Sequence, residues 1–174
     1  MKTTIISVIL FLISLALANN NFKLKSVELT NKQNSTQDYM KKLFDDFTGI
    51  FKYQVYKNGV KSTVKQEEFE KVANMLFRKV FGHASGRIDT NDVHLEEISL
   101  EKAFQILNDQ MQISSLNEDE ETQTKKEVFS VLKRFNKKDS KIFRGFVGEE
   151  MGEAFIIFIS TVGRVYMIEW HYET

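Results

Sequence analysis

Cysteine is absent from this 174-residue chain, so neither disulfide bonds nor a cysteine-based zinc site can stabilise it. Charge of one sign is not in excess either, because 24 basic residues balance 24 acidic ones. Without a basic excess or a long run of like charge, nucleic acid is not expected as a partner. The fold must therefore be held together by apolar packing, and the 15 phenylalanines fit that demand.

Motifs of catalysis and metal binding are missing as well. The chain contains no G-x-S-x-G, no Walker loop and no G-x-G-x-x-G. Its histidines, His83, His94 and His171, have no histidine partner three or four residues away, as a helical metal site would need. The segment Phe77–Asp92 resembles an EF-hand in its spacing but has too few carboxylates to bind calcium. We therefore predict neither a metal site nor a cofactor.

The N-terminus has the pattern of a secretory signal peptide. Lys2 precedes an apolar run from Ile5 to Leu17, and Ala16 and Ala18 form the A-x-A arrangement that signal peptidase prefers. The run is shorter than the roughly 20 residues that a membrane-spanning helix needs. We expect residues 1–18 to be cleaved, the protein to be secreted, and no membrane span to remain.

The rest of the chain has the length of one domain. Residues 19–35 contain few bulky apolar side chains and are expected to form a flexible leader, in which Phe22–Leu29 is a candidate edge strand. Residues 36–174 are expected to form a single domain. Asn34 begins an N-x-S/T sequon, and whether it is glycosylated stays open.

Helical spacing of apolar residues predicts two N-terminal amphipathic helices. The first follows a cap at Ser35/Thr36 and continues to Phe47. The second follows a capping box at Thr63 and Gln66, and its apolar stripe runs over 69–80.

Between these helices the sequence predicts a β-hairpin. Asn58-Gly59 is a strong hairpin signal because both turn positions tolerate positive φ. Its register would place Tyr53 opposite Val64. Further along, 87–99 is a candidate strand, and Ser99 is the predicted cap of a third helix.

The C-terminal part is predicted to be an antiparallel meander. Asn117–Glu127 reads as a solvated loop or an exposed helical turn. From Lys126 on, apolar residues recur with a period of two, which predicts four strands in the runs KEVFSVLKRF, KIFRGFV, EAFIIFIS and RVYMIEWHYE. If Val162-Gly163 is the last turn, Thr161 lies opposite Arg164. In that register, the face that carries Glu169 and His171 is buried near the turn and exposed to solvent at its other end.

The fold class expected from these patterns is α+β, with N-terminal amphipathic helices packed on a curved, antiparallel C-terminal sheet. The stretches Phe44–Leu76 and Ile142–Tyr172 carry this order of elements, which resembles the nuclear transport factor 2-like superfamily of cone-shaped domains. That superfamily also includes ketosteroid isomerase-like and polyketide cyclase-like proteins. The resemblance implies helices on the concave side of the sheet and a pocket between them. The intervening segment Gly82–Lys125 departs from the family pattern.

Two kinds of function follow from this interpretation, and the sequence favours binding over catalysis. A binding domain would use aromatic residues for an apolar ligand, and the candidates are Tyr53, Phe155, Tyr166 and Trp170. A protein partner on the outer face of the sheet, or a homodimer, is an alternative use of the same strands. A cofactor-free isomerase or dehydratase of the cone fold would instead use carboxylates and histidine, with Asp46, Glu169 and His171 as candidates.

Overall fold

The computed structural model describes residues 22–81, 94–111, 117–148 and 151–173. The expected signal peptide and residues 82–92 of the segment with EF-hand-like spacing lie outside these residues. Within them are four α-helices and seven strands. In chain order they are β1 (Lys23–Ser26), α1 (Asn31–Leu43), β2 (Phe47–Lys57), β3 (Val60–Lys61), a 3₁₀ turn (Gln66–Glu68), α2 (Phe69–Phe81), β4 (His94–Ile98), α3 (Leu100–Gln110), α4 (Glu118–Phe135), β5 (Ser140–Val147), β6 (Met151–Ser160) and β7 (Arg164–Glu173).

The strands form one antiparallel sheet in the order β1-β2-β7-β6-β5-β4, and the short β3 pairs with β2. Helices pack on this sheet, so the predicted α+β class is confirmed. The sheet is not strongly curled, so the cone shape that the resemblance implies is not established. No helix in the described parts of the chain is long and apolar enough to cross a membrane.

Helix α1 begins five residues earlier than the predicted cap. Thr30 is its N-cap, and the backbone N–H of Thr30 donates to Oε1 of Gln33 at 3.0 Å. Thr36 lies inside the helix, while Phe47 already belongs to β2. The stretch expected as a flexible leader thus includes both β1 and the first turn of α1. Asn34 of the sequon lies exposed in that turn.

The hairpin and α2 follow the sequence closely. Asn58 and Gly59 both have positive φ, at 53° and 80°, and form the predicted turn. Pairing with β3 ends at Tyr56, however, so the predicted Tyr53–Val64 pair does not form. The backbone N–H of Val64 instead donates to the carbonyl of Thr161 at 2.8 Å. Five residues of the predicted stripe of α2 are buried: Phe69, Val72, Ala73, Leu76 and Phe77. Phe81 is buried at its end, whereas Val80, which was predicted there, is half-buried.

Helix α4 decides one open alternative and corrects one prediction. Residues 118–127 are helical, as the alternative of an exposed helical turn has it, and KEVFSVLKRF is not a strand. Asn117 is the N-cap: its Oδ1 accepts from the N–H of Glu120 at 3.0 Å, and its own N–H donates back to Oε2 of Glu120 at 3.2 Å. The buried residues are Val128, Val131, Leu132 and Phe135. That spacing belongs to a helix, and the meander consists of three strands rather than four.

The register of the last hairpin is also one residue away from the prediction. Ile159 lies opposite Val165, whereas Thr161 was expected opposite Arg164. The loop has three residues, ending at Gly163 with φ 67°, and such a loop adds one residue to the two-residue turn that was assumed. A shift by one residue exchanges the partners on the two faces of the hairpin.

Both faces of the central strands are consequently buried. One face packs against α2 and contributes Phe155, Ile157, Ile159, Val165 and Met167. The other face packs against α1, α3 and α4 and contributes Ala154, Ile156, Phe158, Tyr166, Ile168 and Trp170. The alternating rows form two separate cores. Of the two residues expected at the solvent-exposed end of one face, Glu169 is buried and His171 is exposed.

Candidate functional site

A cleft of about 360 Å³ lies where α1, β2, β7 and the end of α4 meet. Its lining is unusual in charge, because it includes five cationic side chains and no carboxylate: Lys32, Lys52, Arg134, Lys137 and Arg164. The remaining lining residues are polar, aliphatic or aromatic: Thr30, Gln33, Thr36, Val131, Phe135 and Tyr166. An adjoining cleft of about 280 Å³ shares Lys32 and Arg134 with it and adds the carboxylate of Glu127. We refer to the first of these as the cationic cleft.

The first turn of α1 is attached to the cleft through Tyr166. Nε2 of Gln33 donates to the phenolic oxygen of Tyr166 at 3.0 Å, while Oε1 of Gln33 accepts from both the N–H and the hydroxyl of Thr30. Because the phenolic oxygen accepts this hydrogen bond, its own proton is available to donate. No described residue accepts that proton, so the hydroxyl can donate to a molecule in the cleft.

Arg164 is positioned by two polar contacts around the β6–β7 loop. The amide Nε2 of Gln54, which is buried, donates to the carbonyls of Val162 and Gly163 at 3.1 and 2.8 Å. The hydroxyl of Ser160 donates to the carbonyl of Arg164 at 3.1 Å. These bonds fix the backbone at the start of β7, so the cation projects from a rigid strand end rather than from a loose loop.

The end of α4 provides the opposite wall. Phe135 stacks on Tyr166 with ring centroids 4.4 Å apart and an interplanar angle of 22°. The backbone N–H of Lys137 donates to Oγ of Ser140 at 2.8 Å, which fixes the connection to β5. The stacked rings give the cleft an apolar floor beside its cations.

Electrostatics at this cleft are not balanced by acidic partners. None of the five cations forms an ion pair with a carboxylate of the described residues. The negative end of the α4 dipole compensates Arg134 and Lys137 in part. Lys32 has no such compensation, because it lies in the first turn of α1, where the helix dipole is positive and no acidic residue is present.

Lys52 shows most clearly how burial and neighbouring cations act on a charge in this cleft. It is half-buried on β2, and its pKa is lowered first by desolvation and then by the neighbouring charges of Arg164 and Lys61. A lowered lysine pKa means that the surroundings disfavour the ammonium form. An anion in the cleft would relieve that repulsion.

Of the aromatic residues predicted to bind a ligand, Tyr166 lines the cationic cleft. The other three lie in the two apolar cores: Tyr53, Phe155 and Trp170. Phe155 is fully buried and contacts the rings of Phe77 and Phe81, with centroids 5.8 and 5.6 Å away. The sequence therefore identified one aromatic residue of the cleft and missed Phe135, which it had assigned to a strand.

The predicted catalytic residues lie at the far end of β7 from the cationic cleft. Asp46 is exposed in the turn after α1, and its carbonyl accepts from the backbone N–H of His171 at 3.0 Å. His171 is exposed and forms an ion pair through Nδ1 with Oε1 of Glu153, directly opposite on β6. Glu169 is buried between Gly49 and Phe155 on the neighbouring strands.

Burial raises the pKa of the Glu169 carboxyl from its ordinary value of 4.5 to about 7. The nearby charge of Glu153 adds to this increase, and His171 opposes it. The pKa of Glu153 is itself raised, mainly by desolvation. Asp46 is not brought into this cluster through its side chain. Among the described residues, no three acidic or histidine side chains are arranged to hold a metal ion.

The cations of the cleft could not be found from sequence alone. They come from positions 32, 52, 134 and 164, on four elements, and from position 137 in the α4–β5 connection. In the sequence, each looks like an ordinary solvated charge. Only the sheet register and the helical form of α4 bring them together.

Comparison with protein-family models and with the curated proteins gives no match for this chain. What is established is therefore its class, an α+β protein built on an antiparallel sheet. The resemblance to the nuclear transport factor 2-like superfamily stays an interpretation of the order of elements.

Proposed function

We propose that this protein is a secreted, non-enzymatic binding domain whose ligand is a small anion with a flat apolar part. One observation carries the proposal: five cations, four from different structural elements and one from the α4–β5 connection, line a single cleft that contains no carboxylate. Like charges held together cost free energy, and a bound anion offsets that cost.

The shape of the cleft supports a small ligand. Its volume of about 360 Å³ lies within the range of roughly 300 to 1,000 Å³ that is typical of small-molecule sites. The stacked rings of Phe135 and Tyr166 suit a flat apolar group, and the free hydroxyl proton of Tyr166 suits an anionic oxygen. An uncharged apolar ligand, as the sequence suggested, would leave the cations unpaired.

Calorimetric titration with phenyl phosphate, inorganic phosphate and phenol tests this proposal. We expect phenyl phosphate to bind most tightly, phosphate more weakly, and phenol not measurably. The double variant Lys137→Gln/Arg164→Gln removes two cleft charges and is expected to weaken phenyl phosphate binding about tenfold or more at low salt.

The matched control is Lys41→Gln/Lys102→Gln, which removes the same net charge from exposed positions outside the cleft. It is expected to bind like the unmodified protein. Equal weakening by both double variants would show only a general effect of net charge and would contradict the proposed site. The absence of phenyl phosphate binding to the unmodified protein would contradict it directly.

A second candidate, a cofactor-free isomerase or dehydratase, is favoured by one observation, the buried Glu169 with its pKa near neutrality. Such a carboxyl is suited to move a proton near pH 7. Isomerisation of cyclohex-3-enone to its conjugated isomer, followed by ultraviolet absorbance, tests for this activity. A rate above buffer that Glu169→Gln abolishes would support the enzyme; a rate equal to that of buffer would count against it.

Membership of the nuclear transport factor 2-like superfamily is proposed on the order of α1, the hairpin, α2 and the C-terminal strands. The site described above does not depend on it, because the cationic cleft lies at the ends of β7 and α4 rather than inside a cone. A homodimer and a protein partner on the sheet also stay proposals, and the solution mass by light scattering tests the former.

A further inference from the structure

Lys52 differs from the other cations of the cleft in its position. It lies on β2 directly opposite Tyr166, and Arg164 lies opposite Gln54, two residues further along the same pair of strands. Lys52 and Arg164 are therefore diagonal neighbours on one face of the sheet. Lys52 is half-buried, whereas Lys32, Arg134, Lys137 and Arg164 are exposed.

The other cations of the cleft come from each element around it, and Arg164 and Lys61 are the charges that act on Lys52. Arg164 lies on β7, Lys32 on α1, Arg134 on α4 and Lys137 just beyond it, and Lys61 adds a charge from β3. Tyr166 is the remaining titratable neighbour in the cleft. No described carboxylate forms an ion pair with the Lys52 amine.

Burial and the neighbouring cations make the ammonium form of Lys52 less favourable than that of an exposed lysine. Desolvation and nearby cations both lower the pKa of Lys52, and these are the conditions under which a lysine becomes a nucleophile near neutral pH. The same cations would hold an anionic reactant beside that amine, so the cleft combines a nucleophile with a means of holding its reaction partner.

We propose that Lys52 is a covalent attachment site for an anionic aldehyde or ketone held in the cationic cleft. The neutral amine attacks the carbonyl carbon to form a carbinolamine. Loss of one water molecule from that adduct gives an imine, so the carbonyl oxygen leaves as water with the two amine protons. No oxidant or reductant is needed. This inference rests on the anion site proposed above and adds the chemical class of its ligand.

The test uses 4-formylphenyl phosphate as an anionic aldehyde and benzaldehyde as its neutral counterpart. Each is incubated with the full chain at pH 7.5, sodium cyanoborohydride reduces any imine to a stable amine, and peptide mass spectrometry locates the label. We expect 4-formylphenyl phosphate to label Lys52 at least tenfold faster than any exposed lysine, and phenyl phosphate to compete with the labelling.

Three conservative variants separate charge from nucleophilicity. Lys52→Arg keeps the cation but cannot form an imine, so selective labelling is expected to disappear while phenyl phosphate still binds. Lys41→Arg and Lys102→Arg are matched controls at exposed positions outside the cleft and are expected to leave Lys52 labelling unchanged. Thermal unfolding of each variant checks that it folds.

Labelling spread evenly over the lysines, or labelling equally fast with benzaldehyde, would overturn the inference. If phenyl phosphate binds but Lys52 is not labelled selectively, the inference fails and the anion site stands. If phenyl phosphate does not bind the unmodified protein, the anion site fails, and the inference fails with it.

Discussion

Lys52 of β2 lies directly opposite Tyr166 of β7, and both line the cationic cleft. Cross-strand neighbours of this kind are held about 5 Å apart by the sheet itself. The side chains of Lys52 and Tyr166 thus leave the same face of the sheet from adjacent positions. Phe135 then covers Tyr166 from the end of α4.

The hydroxyl of Tyr166 is expected to contribute to both affinity and stability. Tyr166→Phe removes the acceptor for the part-buried Gln33 amide, which costs about 1 kcal/mol in the free energy of unfolding. It also removes the donor proposed for the anion, so we expect phenyl phosphate to bind several-fold more weakly. Tyr56→Phe, the same chemical change at a half-buried residue outside the cleft, is the control. If Tyr166→Phe binds phenyl phosphate with unchanged calorimetric affinity, the hydroxyl does not contribute to the site.

A side chain at Gly145 is expected to destabilise the protein, because the ring of Phe155 covers this glycine. A Cβ atom at Gly145 would lie 2.1 Å from Cζ of Phe155, which is fully buried. Gly145→Ala is therefore expected to lower the free energy of unfolding by about 1 to 3 kcal/mol, as measured by urea denaturation.

The double variant Gly145→Ala/Phe155→Leu gives the control for that change. Phe155→Leu leaves room for the added methyl group, so the cost of Gly145→Ala is expected to be smaller in this background than in the unmodified protein. Simple additivity of the two costs would show that the ring does not cover the glycine.

The sequence was sufficient where local signals agree with one another. Asn58-Gly59, the stripe of α2 and the cap at Ser99, whose hydroxyl accepts from the N–H of Lys102 at 3.1 Å, were all predicted. Each depends on residues a few positions apart. These local signals therefore do not depend on the tertiary structure of the rest of the chain.

The sequence was insufficient where the same spacing of apolar residues fits both the helical period of about 3.6 residues and the strand period of two. In KEVFSVLKRF, the residues Val128 and Leu132 are four apart, and so fit a strand face as well as a helix face. The deciding signal was the N-x-x-E capping box of Asn117 and Glu120, in a stretch for which both a loop and an exposed helical turn were considered. The hairpin register failed for a related reason, because one residue in loop length decides which face each side chain occupies.

The Asn117 cap is expected to hold the first turn of α4. Asn117→Ala removes the side chain that accepts from the N–H of Glu120, and should lower the free energy of unfolding by about 1 kcal/mol. Thr122→Ala, at an exposed position in the same helix, is expected to have little effect or to stabilise slightly. Urea denaturation of both variants checks this. Equal stability of Asn117→Ala and the unmodified protein would argue against the cap.

The raised pKa of Glu169 predicts that the folded protein loses stability as the pH rises. Its pKa is about 7 in the folded protein, against 4.5 ordinarily, so the folded state binds the proton more tightly between these values. The free energy of unfolding should therefore fall as the pH rises from about 4.5 to 7, by on the order of 2 to 3 kcal/mol from this residue.

Urea denaturation at pH 5 and pH 8 measures that change. Glu169→Gln, which does not ionise, is expected to reduce the loss, and Glu67→Gln, at an exposed carboxylate, is expected to leave it unchanged. A pH dependence that is the same in Glu169→Gln and in the unmodified protein would mean that another group is responsible.

The central claim is that the cationic cleft binds a small anion with a flat apolar part. Backbone amide chemical shifts, recorded by nuclear magnetic resonance during a titration with phenyl phosphate, test it most directly because they locate the ligand. The account predicts that the largest shifts fall at Lys52, Phe135, Lys137 and Arg164, and that they saturate at one equivalent of bound ligand. Shifts centred on other residues, or changes that stay linear without saturation, would contradict it.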